Sequence, residues 1–278
     1  MSAGKKATRG RAWFEALTGQ NGKTADGPGS LMLAKARLGD EPAAVFVGLA
    51  LDPDSRFPRA RNAEVGLEEG FFGASALREV MAWDAGKEVK RPIISVVDSI
   101  CQAYGRREEL AGIHIAAAAV IAAFAEARMA GHPVVALIVG RAVSGSFLTL
   151  CAQANRMIAF DDPEVLIHAM YQDAAARITK RTVEELNALA ETIVPMAYDI
   201  RSFDKLGGLH RLMVVRNPDA PSPETVADVK NALLEAVANA RKSSGDDLFD
   251  RLETQGAKKY REQSIKARNL MLEQWERF

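Results

Sequence analysis

The chain has 278 residues, 48% of them hydrophobic and 26% charged, enough for one large globular domain or two small ones. Its 36 basic and 36 acidic residues cancel, which argues against nucleic acid or an anionic membrane as the main partner. No apolar run approaches the roughly 20 residues needed to span a bilayer, and the basic stretch 1–11 lacks an apolar signal core.

Two cysteines, Cys101 and Cys151, make no disulfide framework, so a reducing cytoplasm is expected. The histidines His114, His132, His168 and His210 are scattered, with no H-x-x-x-H pair and no C-x-x-C, so no zinc site is expected.

Residues 1–30 are polar and glycine-bearing and read as a loosely ordered segment with a short helical patch over 12–17. Residues 30–38 form a short mixed segment. Residues 43–51 have buried-strand composition, ended by Asp52-Pro53-Asp54. Helical spacing follows over 65–87, where Leu67, Phe71, Phe72, Leu77, Val80 and Met81 recur at three and four. Pro92 opens a strand over 93–97. Residues 106–129 read as one long alanine-rich helix, stopped by Gly131-His132-Pro133. A third strand covers 134–139, a short helix 144–153 and a fourth strand 156–160.

Strand and helix thus alternate, with crossovers too long for hairpins, so the class is α/β with parallel pairing. Past Val183 the chain turns helical over 184–194, 223–242 and 256–278, punctuated by Pro218, Pro221 and Pro223. The organisation expected is an N-terminal segment 1–30, a core 31–215 and a C-terminal helical region 216–278. The last either closes the domain or docks on a partner.

Three familiar motifs are not met. Gly19-Gln20-Asn21-Gly22-Lys23-Thr24 looks like a phosphate loop, but Leu17 stands where its first glycine belongs and no strand precedes it. Ser144 and Ser146 flank a glycine without a nucleophile elbow. No G-x-G-x-x-G follows a strand.

Two glycine-bearing turns between strand and helix carry more. The first is Ser99-Ile100-Cys101-Gln102-Ala103-Tyr104-Gly105, followed by Arg106-Arg107-Glu108-Glu109-Leu110. The second runs from Gly140 through Arg141-Ala142-Val143-Ser144 to Gly145-Ser146-Phe147. Such turns aim unpaired N–H groups at one point, where an oxyanion can be held. Plain packing of strand against helix is the alternative for each. Arg106 and Arg107 oppose the helix dipole, so they face a carboxylate ligand, pair with Glu108 or Glu109, or meet a neighbouring subunit. Tyr104 packs or donates a hydrogen bond. Cys101 reads as a buried small residue rather than a nucleophile. His168 lies in the apolar run Val165-Leu166-Ile167-His168-Ala169-Met170, either as a satisfied core group or at a site edge.

The run from Arg91-Pro92-Ile93-Ile94-Ser95-Val96-Val97-Asp98 through Gln102-Ala103-Tyr104-Gly105-Arg106-Arg107-Glu108-Glu109-Leu110-Ala111-Gly112-Ile113-His114 resembles the gamma subunit of biotin-independent malonate decarboxylase. So do Gly131-His132-Pro133-Val134-Val135-Ala136-Leu137-Ile138-Val139-Gly140 and Ala152-Gln153-Ala154-Asn155-Arg156-Met157-Ile158-Ala159. The stretches 11–19 and 195–199 extend the likeness over most of 10–215. The chain departs from the expected pattern at Ile100-Cys101 and around Met170-Tyr171-Gln172. More distantly, Ala103-Tyr104-Gly105 with Glu108-Glu109 resembles carboxyltransferase alpha subunits of acyl-CoA carboxylases.

The resemblance implies a crotonase-like fold, a superhelix of repeated ββα units with C-terminal helices, and a site between two subunits. It implies a beta subunit of the same fold, an acyl carrier subunit and an acyl-carrier transferase alpha subunit as partners. The activity implied is decarboxylation of a malonyl thioester to an acetyl thioester and CO₂. The substrate would ride on the carrier's phosphopantetheine-type arm, with no cofactor bound by this chain and no biotin. By position, the catalytic candidates are the N–H groups of Gly145 and Ser146, with Gly105 and Arg106 as a second set. The substrate-binding candidates are Gln102, Tyr104, Gly140, Ser144 and His168. The thioester half of the site is expected mainly on the beta subunit. Two other readings stand beside this one: a half of a biotin-dependent carboxyltransferase, and a non-catalytic scaffold. In each the isolated chain exposes an apolar patch.

Overall fold

The structure, a computed structural model, describes residues 8–243, 248 and 250–277. Strands β1 (Leu31–Ala36), β2 (Ala44–Leu49), β3 (Ile93–Ser99), β4 (Val134–Val143) and β5 (Arg156–Phe160) lie in sequential order in one sheet. Strand β6 (Ile167–His168) pairs with the far end of β4, and β7 (Arg211–Met213) completes the edge beside β5. Only β1 and β2 are antiparallel; the other pairs are parallel. Strand β2 is buried along its whole length and β4 from Val134 to Gly140, as parallel strands covered on both faces must be.

Register decides which layer covers which face. The pair Met32–Gly48 faces Phe14 of α1 (Arg9–Thr18), and a Cβ on Gly48 would stand 3.0 Å from Met32 and 3.1 Å from Phe14. The neighbouring residues Leu33 and Val45 point the other way, toward Leu77 and Val80 of α2 (Leu67–Trp83). On α2's side lie also α3 (Arg106–Leu110), α4 (Ile113–Met129) and α5 (Gly145–Leu150). Helix α2 packs closely on α4 because Gly70 meets the Ala116 backbone with no side chain between them.

The N-terminal segment departs from expectation. The helical patch expected over 12–17 is there and longer: residues 9–18 are a helix, built into the core rather than set in loosely ordered chain. Trp13 and Phe14 are fully buried, the Trp13 ring meets Phe160 edge-on at 4.7 Å, and its Nε1–H donates to Pro218 O at 2.7 Å. Thr8 caps the helix and Gly19, at φ 69°, ends it. Residues 30–38 contain β1. The helix expected over 106–129 is two, because Gly112 at φ 84° turns the chain between α3 and α4. Strand β4 runs on past Gly140 to Val143, four residues beyond the expected end.

Beyond β6 come α6 (Gln172–Thr179), α7 (Val183–Ala190) and α8 (Ile200–Lys205). Helix α9 (Pro223–Lys242) matches its expected span and lies on the sheet beside α1, with Val229, Leu233 and Val237 in the main core. It closes the domain rather than standing apart. The tail contains α10 (Asp250–Glu253), α11 (Gln255–Tyr260) and α12 (Glu262–Trp275); α12 buries no residue. Among the described residues, no helix is long and apolar enough to cross a membrane.

Candidate functional site

Both glycine-bearing turns leave the carboxyl ends of β3 and β4, the edge where open α/β sheets bind ligands. The two strands pair in register to Val97–Ile138, then slip at Asp98 before Ser99 pairs with Ala142. The Asp98 carboxylate fills that bulge. It accepts N–H bonds from Arg141 at 3.1 Å and from Gly10 of α1 at 3.2 Å. Gly140 is buried beneath it, and any Cβ there would collide with the carboxylate. Close approach, not a special φ, is why glycine stands there.

The first turn is anchored on Val65. The Val65 N–H donates to Cys101 O at 3.3 Å and the Ala103 N–H to Val65 O at 2.8 Å, so the backbone on either side of Gln102 is held. Tyr104 is 48% exposed, and the Arg59 guanidinium lies 4.2 Å from its ring centre. Arg59 also pairs with buried Glu64 at 2.8 Å. Burial pushes the Glu64 carboxyl above its usual range and Arg59 partly restores it. Cys101 is buried beside them; desolvation and then the Glu64 charge push its thiol up to about 12, so it is inert as a nucleophile at neutral pH. Gly105 and the start of α3 carry N–H groups with no helical partner. The buried Glu108 side chain folds back against Gly105, while Arg106 and Arg107 are exposed. Among the described residues neither arginine forms an ion pair, so Glu108 and Glu109 do not neutralise them.

The second turn is strained. Ser144 sits at φ 61° and ψ −137°, a conformation that L side chains rarely adopt. Its N–H donates to His168 O at 2.7 Å, and its Oγ donates to Gln102 Oε1 at 3.2 Å. The Gly145 N–H donates to the same oxygen at 3.0 Å. Ser146 is fully buried, with its hydroxyl within reach of Ser99 O (2.6 Å) and Val143 O (2.7 Å). The two turns therefore meet through one carboxamide and one buried serine.

His168 pairs with Val143 in β6 and is held by its neighbours. Its Nδ1 accepts the Met170 N–H at 3.0 Å, and its ring stacks on Tyr198 at 4.1 Å. Tyr198 in turn donates its hydroxyl to Met170 O at 2.8 Å. Burial lowers the His168 pKa, which favours the neutral ring. In this arrangement His168 braces the Ser144 turn through its backbone. Beside Val143 opens a cavity of about 600 Å³, bounded by Leu166, Tyr171, Asp173, Tyr198 and Lys205.

Asp98, Arg59, Glu64 and Tyr198 were not singled out from the sequence as site residues. Only Asp98, directly after the apolar run 93–97 within β3, leaves a local signal there. The others come together through the Val65 bridge and the β6 pairing. Around the first turn several large apolar side chains face solvent: Phe71, Leu110 and Ile115, on α2, α3 and α4. Among the described residues, no cluster of three or more histidine, cysteine or acidic side chains is arranged to hold a metal ion.

Residues 60–275, well over half the chain, match the family model of the malonate decarboxylase gamma subunit, MdcE. The malonyl-S-ACP:biotin-protein carboxyltransferase MADD of Malonomonas rubra is 33% identical over 226 residues, 80% of this chain and 74% of that protein. A chain of the Pseudomonas malonate decarboxylase hetero-tetramer with coenzyme A is 46% identical with a TM-score of 0.90, covering 96% of this chain and all of that one. The corresponding chain of the Pseudomonas MdcD–MdcE hetero-dimer is 45% identical with a TM-score of 0.86, over the same shares. Transcarboxylase 12S shares the fold alone, at 20% identity and a TM-score of 0.54 over 77% of this chain and 36% of that one.

Proposed function

The chain belongs to the malonate decarboxylase gamma-subunit family, and from that premise we propose that, with a beta subunit, it converts a malonyl thioester on an acyl carrier protein into an acetyl thioester and CO₂. The fold is the crotonase-like α/β architecture, and the chain is a decarboxylase component. The observation that carries the finer reading is the meeting of both turns at the carboxyl ends of β3 and β4. Loss of CO₂ leaves an enolate on the thioester, and the barrier falls when preorganised donors hold the developing charge.

The donors assigned here are the N–H groups of Gly105 and Arg106; the turn at Gly145 and Ser146, expected to donate as well, has its Gly145 N–H taken by Gln102 Oε1 and Ser146 buried, so it lines the site instead. Gln102, Tyr104, Gly140, Ser144 and His168 shape the pocket around them. The exposed Arg106 guanidinium suits the malonyl carboxylate, which has to be drawn out of water before it leaves. Water quenches the carbanion. A beta subunit of the same fold covers the apolar side chains beside the first turn and supplies most of the thioester contacts. The carrier's phosphopantetheine-type arm delivers substrate, biotin is not required, and an acyl-carrier transferase alpha subunit completes the assembly. The setting proposed is the cytoplasm.

The test is reconstitution. This chain and the beta subunit are co-purified and acetyl-carrier and CO₂ are measured from malonyl-carrier, with avidin added in parallel. Activity is expected only when both subunits are present, and unchanged by avidin. Gly105→Pro suits the native φ of −70° and removes one N–H, while its ring also displaces the Glu108 carboxylate; beside Gly105→Ala, which makes the same displacement but keeps the N–H, kcat of the assembled Gly105→Pro complex should be lower by roughly 10²–10³. A beta subunit fully active alone, or a Gly105→Pro complex as active as Gly105→Ala, overturns the reading.

A further inference from the structure

The Gly145 N–H can only donate, so the Gln102 atom that faces it at 3.0 Å is the carboxamide oxygen. Ser144 Oγ donates to the same atom at 3.2 Å. Both acceptor positions of that oxygen are therefore filled from the second turn. The backbone that carries Gln102 is held on either side by Val65. The carboxamide plane is then fixed, and its NH₂ points away from the turn. That NH₂ has no hydrogen-bond partner among the described residues, yet it is not a buried orphan. Two donors on the oxygen also polarise the amide and strengthen its N–H bonds.

This changes what the second turn offers a ligand. The Gly145 N–H is already used, Ser146 is fully buried, and a Cβ at Gly145 would run into Gln102. We propose that the Gln102 side-chain NH₂ is the donor this turn presents to the substrate, bonding an oxygen of the malonyl group. Gly145 and Ser144 act behind it, by fixing which end of the carboxamide faces the cleft. The proposal rests on the decarboxylase reading above and assigns a contact within it. The oxygen is either the thioester oxygen that becomes the enolate or one of the leaving carboxylate. Only the first gains charge in the transition state, so the two differ in whether kcat or KM responds.

Gln102→Glu separates this contact from a purely structural role. The glutamate keeps an acceptor for Gly145 and Ser144 but has no N–H to give. Gln102→Ala removes both and frees the Gly145 N–H. Each variant is co-purified with the beta subunit, checked for assembly and thermal midpoint, and assayed on malonyl-carrier beside the wild-type complex. With both complexes assembling and melting like wild type, kcat/KM should fall by roughly 10²–10³ in each. A fall in kcat assigns the enolate oxygen, and a rise in KM assigns the carboxylate. Wild-type activity in Gln102→Glu makes Gln102 only a brace, and activity at or above wild type in Gln102→Ala makes Gly145 the direct donor; either overturns the proposal. An inactive wild-type complex instead removes the decarboxylase reading on which it rests.

Discussion

Trp13 offers the sharpest test of how the N-terminal segment is used. Its ring is fully buried between the sheet and the loop that leads into α9, meets Phe160 at 4.7 Å and donates to Pro218 O at 2.7 Å. Trp13→Ala removes that ring from a packed interior, which costs about 3–5 kcal/mol. At roughly 2–4 °C per kcal/mol for a domain of this size, the melting midpoint should fall by about 6–20 °C. Trp13→Phe keeps an aromatic ring and loses the N–H bond, so about 1–2 kcal/mol is expected. Urea unfolding followed by circular dichroism gives both values, and an unchanged slope would show that only stability changed. A Trp13→Ala protein within about 1 kcal/mol of wild type would refute the docking of α1 and return residues 9–18 to loosely ordered chain.

Two further outcomes follow from buried charges. Asp98→Asn should destabilise by about 1–3 kcal/mol, because one carboxamide oxygen cannot accept from both Gly10 and Arg141 and its NH₂ faces an N–H; urea midpoints measure it, and no change would remove Asp98 as the filler of the bulge. Asp84 is buried, pairs with Arg91 and Lys87 at 2.7 Å each, and is held well below the usual carboxylate range, chiefly by the Arg91 side chain. A depressed carboxyl stabilises the fold above its unfolded pKa, about 3.9, and that contribution is lost as pH falls toward the folded value. The stability gap between wild type and Asp84→Asn should therefore be full at pH 6 and shrink below about pH 4; a gap independent of pH would contradict the pairing.

Residue patterns were sufficient for the alternation of strand and helix, the core strands and α9, because burial on both faces leaves uninterrupted apolar runs and a one-faced helix leaves a 3.6-residue period. They were also sufficient for the first turn and for the helix start at Gly145, but they ended β4 at Gly140, whereas the strand runs on to Val143. They missed β1, whose Lys35 interrupts the apolar pattern, and β6 and β7, which are too short to carry a period. They joined α3 to α4 because the left-handed conformation of Gly112 is no property of the residue itself.

What the chain alone determined was its family, its class and where its amide-bearing turns lie, all of which depend on neighbours along the sequence. Tertiary structure decided what those turns present. Gln102 and Gly145 are 43 positions apart, and only the parallel pairing of β3 with β4 brings a carboxamide oxygen within 3.0 Å of the glycine N–H. The same pairing buries Ser146 and sets Asp98 over Gly140. Hydrogen bonds act only at contact distance, so which donors stay free for a substrate is settled by contacts the linear sequence does not contain.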